Sequence, residues 1–545
     1  MEILTKIKEA VALTKTGNFH AAENIYNTLL AKNPDDIRVL PFLGWLFIAQ
    51  HNYSKAIDVF KKVNNKTENS NVITGLGLCY FELRDYENAY IFLKKSADTN
   101  PTLDILYKLI TCACENSNQT ELIFNYAEKM KALYPDSQLT WDAYILSALC
   151  AGKFDTAENY CQELLIANPN NPTLYLSAGL IQEVVYLNYQ LALECYQKAY
   201  EISPTTSALY NVGLAYARLN NFPKAEENLL KSLEKSNDAV EINKSLYILY
   251  ASNKFFDKAY NHFEKSAKII LDKLHSNWDG KSYINETLYI LGDQGLGDII
   301  MYSRYLPYVK QMFKQVVVAV NPALINLFTS NKIFENIKFV DYKEPITYDK
   351  STILTMLPRL LNIDFNNIPM ADGYLNQTNQ ILDNSLFNTK TLKIGIIWEA
   401  GGTKLRGSLD RTINPKLLKP LFKIPNTKIY SLQVNSSMEI KQYYDDITEI
   451  GTQLRDFEYT ADAISNMDII VTVDTSVAHL AGAMGKTTYL MLPYYCDWRW
   501  FNNTQNTEWY NSVKIFKQPS IMDWATVINN IKTAIEAQHL QDLHQ

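Results

Sequence analysis

An aromatic residue followed three positions later by alanine recurs at Phe19/Ala22, Tyr53/Ala56, Tyr86/Ala89, Phe154/Ala157, Tyr189/Ala192, Phe222/Ala225 and Phe256/Ala259. The steps between the aromatics are 34, 33, 68, 35, 33 and 34 residues, so the double step leaves room for one degenerate unit over 120–135. A period of this length, repeated this often, predicts stacked helix pairs. Pro34, Pro101, Pro135, Pro169 and Pro204 keep the same register, about one helix length beyond the alanine, where a residue without an N–H ends a helix. Gly44, Gly77, Gly179 and Gly213 stand earlier in their units and permit the first helix of a pair to pack closely on the second. One pair cannot bury both of its faces, so the units must stack into a continuous core with a concave groove that suits a protein partner. The aromatic and alanine positions themselves are core positions, since apolar residues at helical spacing are first a packing signal.

Taken together, these positions resemble the tetratricopeptide repeat family over residues 1–270, as about eight helix pairs. A chain of 545 residues exceeds what one core supports, so at least one further domain follows. With 47% hydrophobic and 20% charged residues the composition is that of a globular protein, and a formal net charge of -6 provides no general basic field for nucleic acid. Residues 1–12 mix Glu2 and Glu9 with lysines and do not read as a secretory leader, and no apolar run approaches the ~20 residues that span a bilayer. The expectation is a cytoplasmic protein. The seven cysteines, at 79, 112, 114, 150, 161, 195 and 496, lack metal-site spacing and are expected to be reduced and structural.

Beyond residue 270 the helical period gives way. A stretch over 271–286 reads as a linker, after which β-type runs at 287–291, 315–320, 393–398, 427–432 and 467–473 alternate with helix-length segments. That alternation predicts parallel sheets with crossover helices, in two Rossmann-like halves over 287–385 and 386–545 that face a cleft.

Two strand-to-helix junctions carry the chemistry. In the first, 288–291 runs into Gly292-Asp-Gln-Gly-Leu-Gly-Asp298 and a helix from Ile299 onward. The glycines allow a tight turn and a close ligand, but the spacing is not that of a dinucleotide loop. Asp298 is either a helix-capping acid or a general base at the mouth of the cleft. In the second, 468–473 leads into Asp474-Thr-Ser-Val-Ala-His479 and a small-residue helix. A helix start with Thr475 and Ser476 hydroxyls and His479 one turn on suits a diphosphate; alone, Asp474 is an ordinary N-cap and His479 a packed histidine. Gly482 and Gly485 are read as helix-packing residues.

The segments Gly292 to Ile300, Arg304-Tyr-Leu-Pro307, Gly395-Ile-Ile-Trp398, Asp410-Arg-Thr-Ile413, Leu454-Arg-Asp-Phe457, Asp474 to Gly482 and Asp497-Trp-Arg-Trp500 resemble the heptosyltransferase-type family, glycosyltransferase family 9, in its version preceded by tetratricopeptide repeats. The resemblance extends over 278–524 and implies an α-solenoid followed by an α/β GT-B domain. It implies inverting transfer from a nucleotide-diphosphate sugar, a heptose-type donor being one choice, with no cofactor and no catalytic metal. Carried over by position, Asp298 matches the acceptor-activating carboxylate. Asp474, Thr475, Ser476 and His479 match the loop that holds the donor diphosphate, Arg411 the neutralising cation, with Lys404 and Arg406 close enough to share that role or to be solvated charges. Gln433 is expected to face the nucleotide, and Gln294, Gly295 and Gly297 to form the cleft loop. Glu399-Ala-Gly-Gly402 departs from the family's usual turn and adds a carboxylate, while Asp497-Trp-Arg-Trp500 either lines an acceptor or nucleotide site or belongs to the core. The acceptor implied is a protein held by the repeats, with a lipid or polysaccharide glycan, or an inactive repeat scaffold, as the rival readings.

Overall fold

A computed structural model describes residues 2–31, 33–115, 120–236, 239–363, 367–377, 379–401, 411–434, 440–501 and 505–543. It divides into two compact units, 1–204 and 205–401 with 411–545.

The first unit is built of helix pairs: Glu2–Lys15 with Phe19–Leu30, Leu40–Ala49 with Tyr53–Asn64, and Ser70–Glu82 with Tyr86–Thr99. Leu103–Glu115 with Thr120–Leu133, Gln138–Cys150 with Phe154–Ala167, and Pro172–Val184 with Tyr189–Ile202 complete it. Each repeat-defining aromatic opens the second helix of its pair, and the unit at Thr120–Leu133 fills the double step. Ala22, Ala56, Ala89, Ala157 and Ala192 are fully buried. A Cβ added to Gly44 would lie 2.4 Å from the Phe60 ring and one on Gly179 2.4 Å from Tyr196, so glycine is what lets paired helices touch. A further regularity lies in the turns: Gly17, His51, Arg84, Gly152 and Leu187, each two residues before the aromatic, all have φ between 52° and 79°. Asn18, Asn52, Asp85 and Asn188 follow, and each side chain accepts from the N–H three residues on, capping the second helix.

The helix pairs continue into the second unit as Thr206–Arg218 with Phe222–Lys235 and Val240–Ser252 with Phe256–Lys273. Their buried residues, from Ala225 to Ala267, share one hydrophobic core with both β-sheets, so the compact boundary falls at 204/205 rather than at 270. The expected linker is also shorter than 271–286. The last helix runs to Lys273, Trp278 is buried with its ring 5.4 Å from Phe313, and the first strand starts at Tyr283.

The first sheet has four parallel strands, β1 (Tyr283–Leu291), β2 (Phe313–Val320), β3 (Ile337–Asp341) and β4 (Lys350–Ile353), in the order β3-β2-β1-β4. The second comprises β5 (Leu392–Ile397), β6 (Thr427–Ser431), β7 (Thr448–Glu449), β8 (Ile469–Val473), β9 (Thr488–Leu492), β10 (Asn506–Thr507) and β11 (Tyr510–Lys517). Its order is β10-β11-β9-β8-β5-β6-β7, parallel except for the β10/β11 pair. β8 and β9 are buried along their whole length, which is why they read as unbroken apolar runs. In each sheet the order reverses beside one strand, β1 in the first and β5/β8 in the second, and crevices at the carboxyl ends of such strands are where α/β sheets bind ligands. Both chemistry-bearing junctions leave from these strands. No helix among the described residues is long and apolar enough to cross a membrane. All seven cysteines are free thiols, buried except for the half-buried Cys195.

Candidate active site

Beyond β1 the chain turns through Gly292, whose added Cβ would stand 3.0 Å from the Ala319 carbonyl of β2. Asp293 then pins the turn to the end of β4, accepting from the Thr355 backbone (3.1 Å) and hydroxyl (2.6 Å). The helix that follows, Leu296–Ser303, begins three residues earlier than expected. Its N-cap is Gly295, which offers no side-chain cap, and Asp298 sits inside the first turn. Asp298 caps nothing: its Oδ1 accepts from Arg499 Nε, a residue of the other sheet's loops.

Beyond β8 the helix Ser476–Ala483 starts with Thr475 as N-cap, again without a side-chain cap bond. Asp474 is therefore not the N-cap. Its Oδ1 accepts from Trp500 Nε1 (2.8 Å) and its Oδ2 from Arg411 (3.3 Å). Two helix N-termini whose first N–H groups carry no side-chain cap thus open on the same space. They approach so closely that a Cβ on Gly297 would lie 2.7 Å from the His479 ring and 3.3 Å from Ser476 Cα. The glycine at 297 makes room for protein.

Leu296, Gly297, Asp298, Ala400, Gly401, Arg411, Asp474, Thr475, Ser476, His479, Asp497 and Arg499 line a cavity of about 300 Å³. Seven of the expected site residues meet there, from Gly297 and Asp298 on the first sheet's side to Arg411, Asp474, Thr475, Ser476 and His479 on the second's. Others do not. Gln294 donates to Asp293 (3.1 Å), and Gly295 stays behind the helix start. Gln433 does not face the cavity: its Oε1 accepts from the Trp398 and Glu399 N–H groups (3.2 and 3.0 Å) and its Nε2 donates to the Glu399 carbonyl (3.1 Å). It thereby shapes the loop that carries Ala400 and Gly401. Lys404 and Arg406 lie outside the described residues.

The residues that reading by position missed are Arg499 and Asp497. The signal was the Asp497-Trp-Arg-Trp500 segment, a charged and aromatic loop after β9, but no spacing tells which of its four side chains turns inward. Arg499 does, donating to Asp298 and, at 2.6 Å, to Asp497, while Trp498 and Trp500 are buried in the core beneath.

Burial sets the electrostatics. It pushes Asp298 above the ordinary carboxylate range against the pull of Arg499, and Asp474 likewise against Arg411. Asp497 feels the same burial, but the Arg499 charge and hydrogen bonds outweigh it and hold this carboxyl low. Burial, reinforced by Arg499, drives His479 down to about 3, so it is neutral at physiological pH and no cation of a diphosphate site. Its Nδ1 lies 3.1 Å from the Tyr510 hydroxyl and its ring stacks on Trp500 at 4.8 Å. With Tyr510 as donor, Nε2–H is a neutral hydrogen-bond donor. Among the described residues Asp298 Oδ2 has no hydrogen-bond partner, so this carboxylate oxygen can accept a proton, while Arg411, which lines the same cavity beside Asp474, can stabilise an anion.

Two family models of the tetratricopeptide repeat match residues 7–67 and 71–103, and the N-terminal region of the chain is built of these repeats. The chain is 23% identical over 279 residues to Superkiller protein 3 of Schizosaccharomyces pombe, covering 49% of this chain and 18% of that protein. It is 26% identical over 284 residues to BBSome complex member BBS4 of Bos taurus, covering 50% of this chain and 53% of that one. The chain thus spans about half or less of the length of these curated relatives. A tetratricopeptide repeat protein from Parabacteroides merdae aligns at 16% identity and a TM-score of 0.39, over 44% of this chain and 96% of that one.

Proposed function

We propose that the chain is an inverting glycosyltransferase with GT-B architecture, moving a sugar from a nucleotide-diphosphate donor to an acceptor hydroxyl. The observation that carries this reading is the meeting of Asp298, from one sheet, with Arg411, Thr475, Ser476 and His479, from the other, around one cavity. Asp298 Oδ2 takes the acceptor proton as the hydroxyl oxygen bonds to the anomeric carbon on the face opposite the donor phosphate. The bond between that carbon and the phosphate oxygen breaks, and the charge left on the nucleoside diphosphate falls to Arg411, the N–H groups opening the Ser476 helix and the neutral His479. Burial that raises the Asp298 pKa makes it the stronger base. Tetratricopeptide repeats suit protein–protein interaction, so the acceptor in this reading is a protein presented by the array.

The test is thermal shift with UDP-, GDP- and ADP-sugars, followed by a transfer assay. The expected result is selective stabilisation by one nucleotide class, weakened in Arg411→Ala. Asp298→Asn should keep donor binding and lose about 10²- to 10⁴-fold in transfer. Failure of every donor to shift the folded wild type would leave a repeat scaffold without transferase chemistry. Transfer to an isolated glycan alone would replace the protein acceptor.

A further inference from the structure

Arg499 occupies a position that no local pattern explains. It sits in the short 3-10 turn Trp498–Trp500, and its guanidinium joins Asp298 of the first sheet's loop to Asp497 of its own. A buried cation between two carboxylates is fixed only if its backbone is fixed, because each ion desolvated without its partner is strongly unfavourable. The backbone here is held under strain: the turn ends at Phe501, an aromatic residue at φ 53°, ψ 161°. Such a conformation costs about 1–3 kcal/mol and persists only when its surroundings over-determine it.

The surroundings are the last helix pair of the repeat array. Tyr247, from Val240–Ser252, sets its ring edge-on against Trp498 at 5.3 Å, and the Arg499 guanidinium lies 5.0 Å from that same indole. On the other side of the turn, Phe256, opening Phe256–Lys273, packs on Phe501 at 6.0 Å, with the Lys254 ammonium 4.8 Å from the Phe501 ring centroid. Lys254 is also paired with Glu508, and Trp509 stacks on Phe501 from within the second sheet's loops. The helix pair therefore grips both ends of the segment that carries Arg499. This pair shares the core of the transferase-like unit, not that of the six pairs of the first unit.

We infer that Arg499 is the positioning residue of Asp298, and that the last helix pair of the array, through Tyr247 on Trp498 and Phe256 on Phe501, holds it in register across the cavity. The inference rests on the transferase reading of that cavity. The array is then more than a holder of an acceptor: its final unit completes the site. The charged and titratable groups facing Asp298 are Arg499 and Asp497 from the turn, Asp293 from its own loop, Tyr247 from the repeat helix and His479 from the facing helix. Of these Arg499 carries the charge in direct contact. Its removal leaves burial and two neighbouring carboxylates, all of which favour the protonated acid, so the acid limb of activity must move to higher pH.

The experiment measures nucleoside diphosphate release from the best donor between about pH 5 and pH 9. It compares the wild-type full chain with Arg499→Met, Arg499→Lys and Tyr247→Ala. In Arg499→Met the acid limb is expected to rise by about 1–3 pH units, the shift an adjacent guanidinium imposes on a carboxylate, and Arg499→Lys should restore part of it. Tyr247→Ala should move the limb in the same direction by less, although it removes no charge from the site. An active wild type whose acid limb stays put in both Arg499→Met and Tyr247→Ala overturns the inference and leaves the transferase reading intact. A folded wild type that releases nucleotide from no donor overturns both. If Arg499→Met does not fold, Arg499→Met/Asp298→Asn decides: recovery of the fold supports a charge left buried without its partner, and continued failure assigns Arg499 to packing alone.

Discussion

The two units handle polarity in opposite ways. In the first, among the described residues, the buried core holds one charged side chain, Asp36, paired at 2.6 Å with an exposed Arg38. Its helix starts are served locally, by Asn or Asp caps that accept from N–H groups three residues away, and the buried Ser147 hydroxyl donates to the Tyr144 carbonyl three positions back. In the second, Asp298, Arg304, Asp462, Asp474 and His479 are all buried, and each has at least one partner 26 or more positions off in sequence. Arg304 donates to the Met301, Pro369 and Trp509 carbonyls, and Asp462 accepts from Gln377, Ile381 and Leu382. A repeat array needs only nearest-neighbour consistency, whereas burying charge requires many distant groups to agree at once.

The contrast can be broken where it is strongest. Arg304→Ala should destabilise the second unit by about 3 kcal/mol or more, since it opens a cavity and strips several buried carbonyls of their donor. Hydrogen exchange should show the loss confined to 205–545, and equal loss of protection in 1–204 would erase the distinction. Gly297→Ala is expected to cost about 1–3 kcal/mol, because the new methyl meets the His479 ring and Ser476 backbone, both of them fixed. Denaturant melts check the cost, and donor binding should weaken with it.

His479 makes the contrast pH-dependent. Its folded pKa, about 3, lies below the ordinary 6.5, so between those values the unfolded chain binds a proton that the folded one does not. Stability is therefore complete above the ordinary value and falls with pH below it, by about 1.4 kcal/mol per unit, until the folded value is reached. Asp298 and Asp474, raised in the fold, act in the opposite sense just above the ordinary carboxylate value. Melts of wild type and His479→Gln from neutral to acid pH should differ in slope in the second unit only.

Smaller effects belong to the array. Asn188→Ala removes a cap bonded at 3.1 Å to the Leu191 N–H and should cost about 1 kcal/mol, with protection lost only near its own helix pair. Arg84→Gly should instead stabilise by about 0.5–1 kcal/mol, because φ 57° suits glycine and strains a side chain. A stabilisation absent there would show that neighbouring contacts, not the turn, decide that position.

Much of the molecule is legible before any coordinates. The aromatic and alanine positions mark every second helix but Thr120–Leu133, the five strands expected over 287–473 all form, and seven expected residues line one cavity. These are local matters, fixed by periodicity, β-propensity and the character of a strand-to-helix turn, so the chain states them within a few residues. The tertiary structure decided three others. It turned Gln433 away to hold the Glu399 backbone, it buried His479 so deeply that the neutral ring is favoured, and it brought Arg499 across to Asp298 under the grip of Tyr247 and Phe256. Each depends on burial or on partners tens to hundreds of positions distant, and neither desolvation nor a long-range ion pair leaves a periodic mark on sequence.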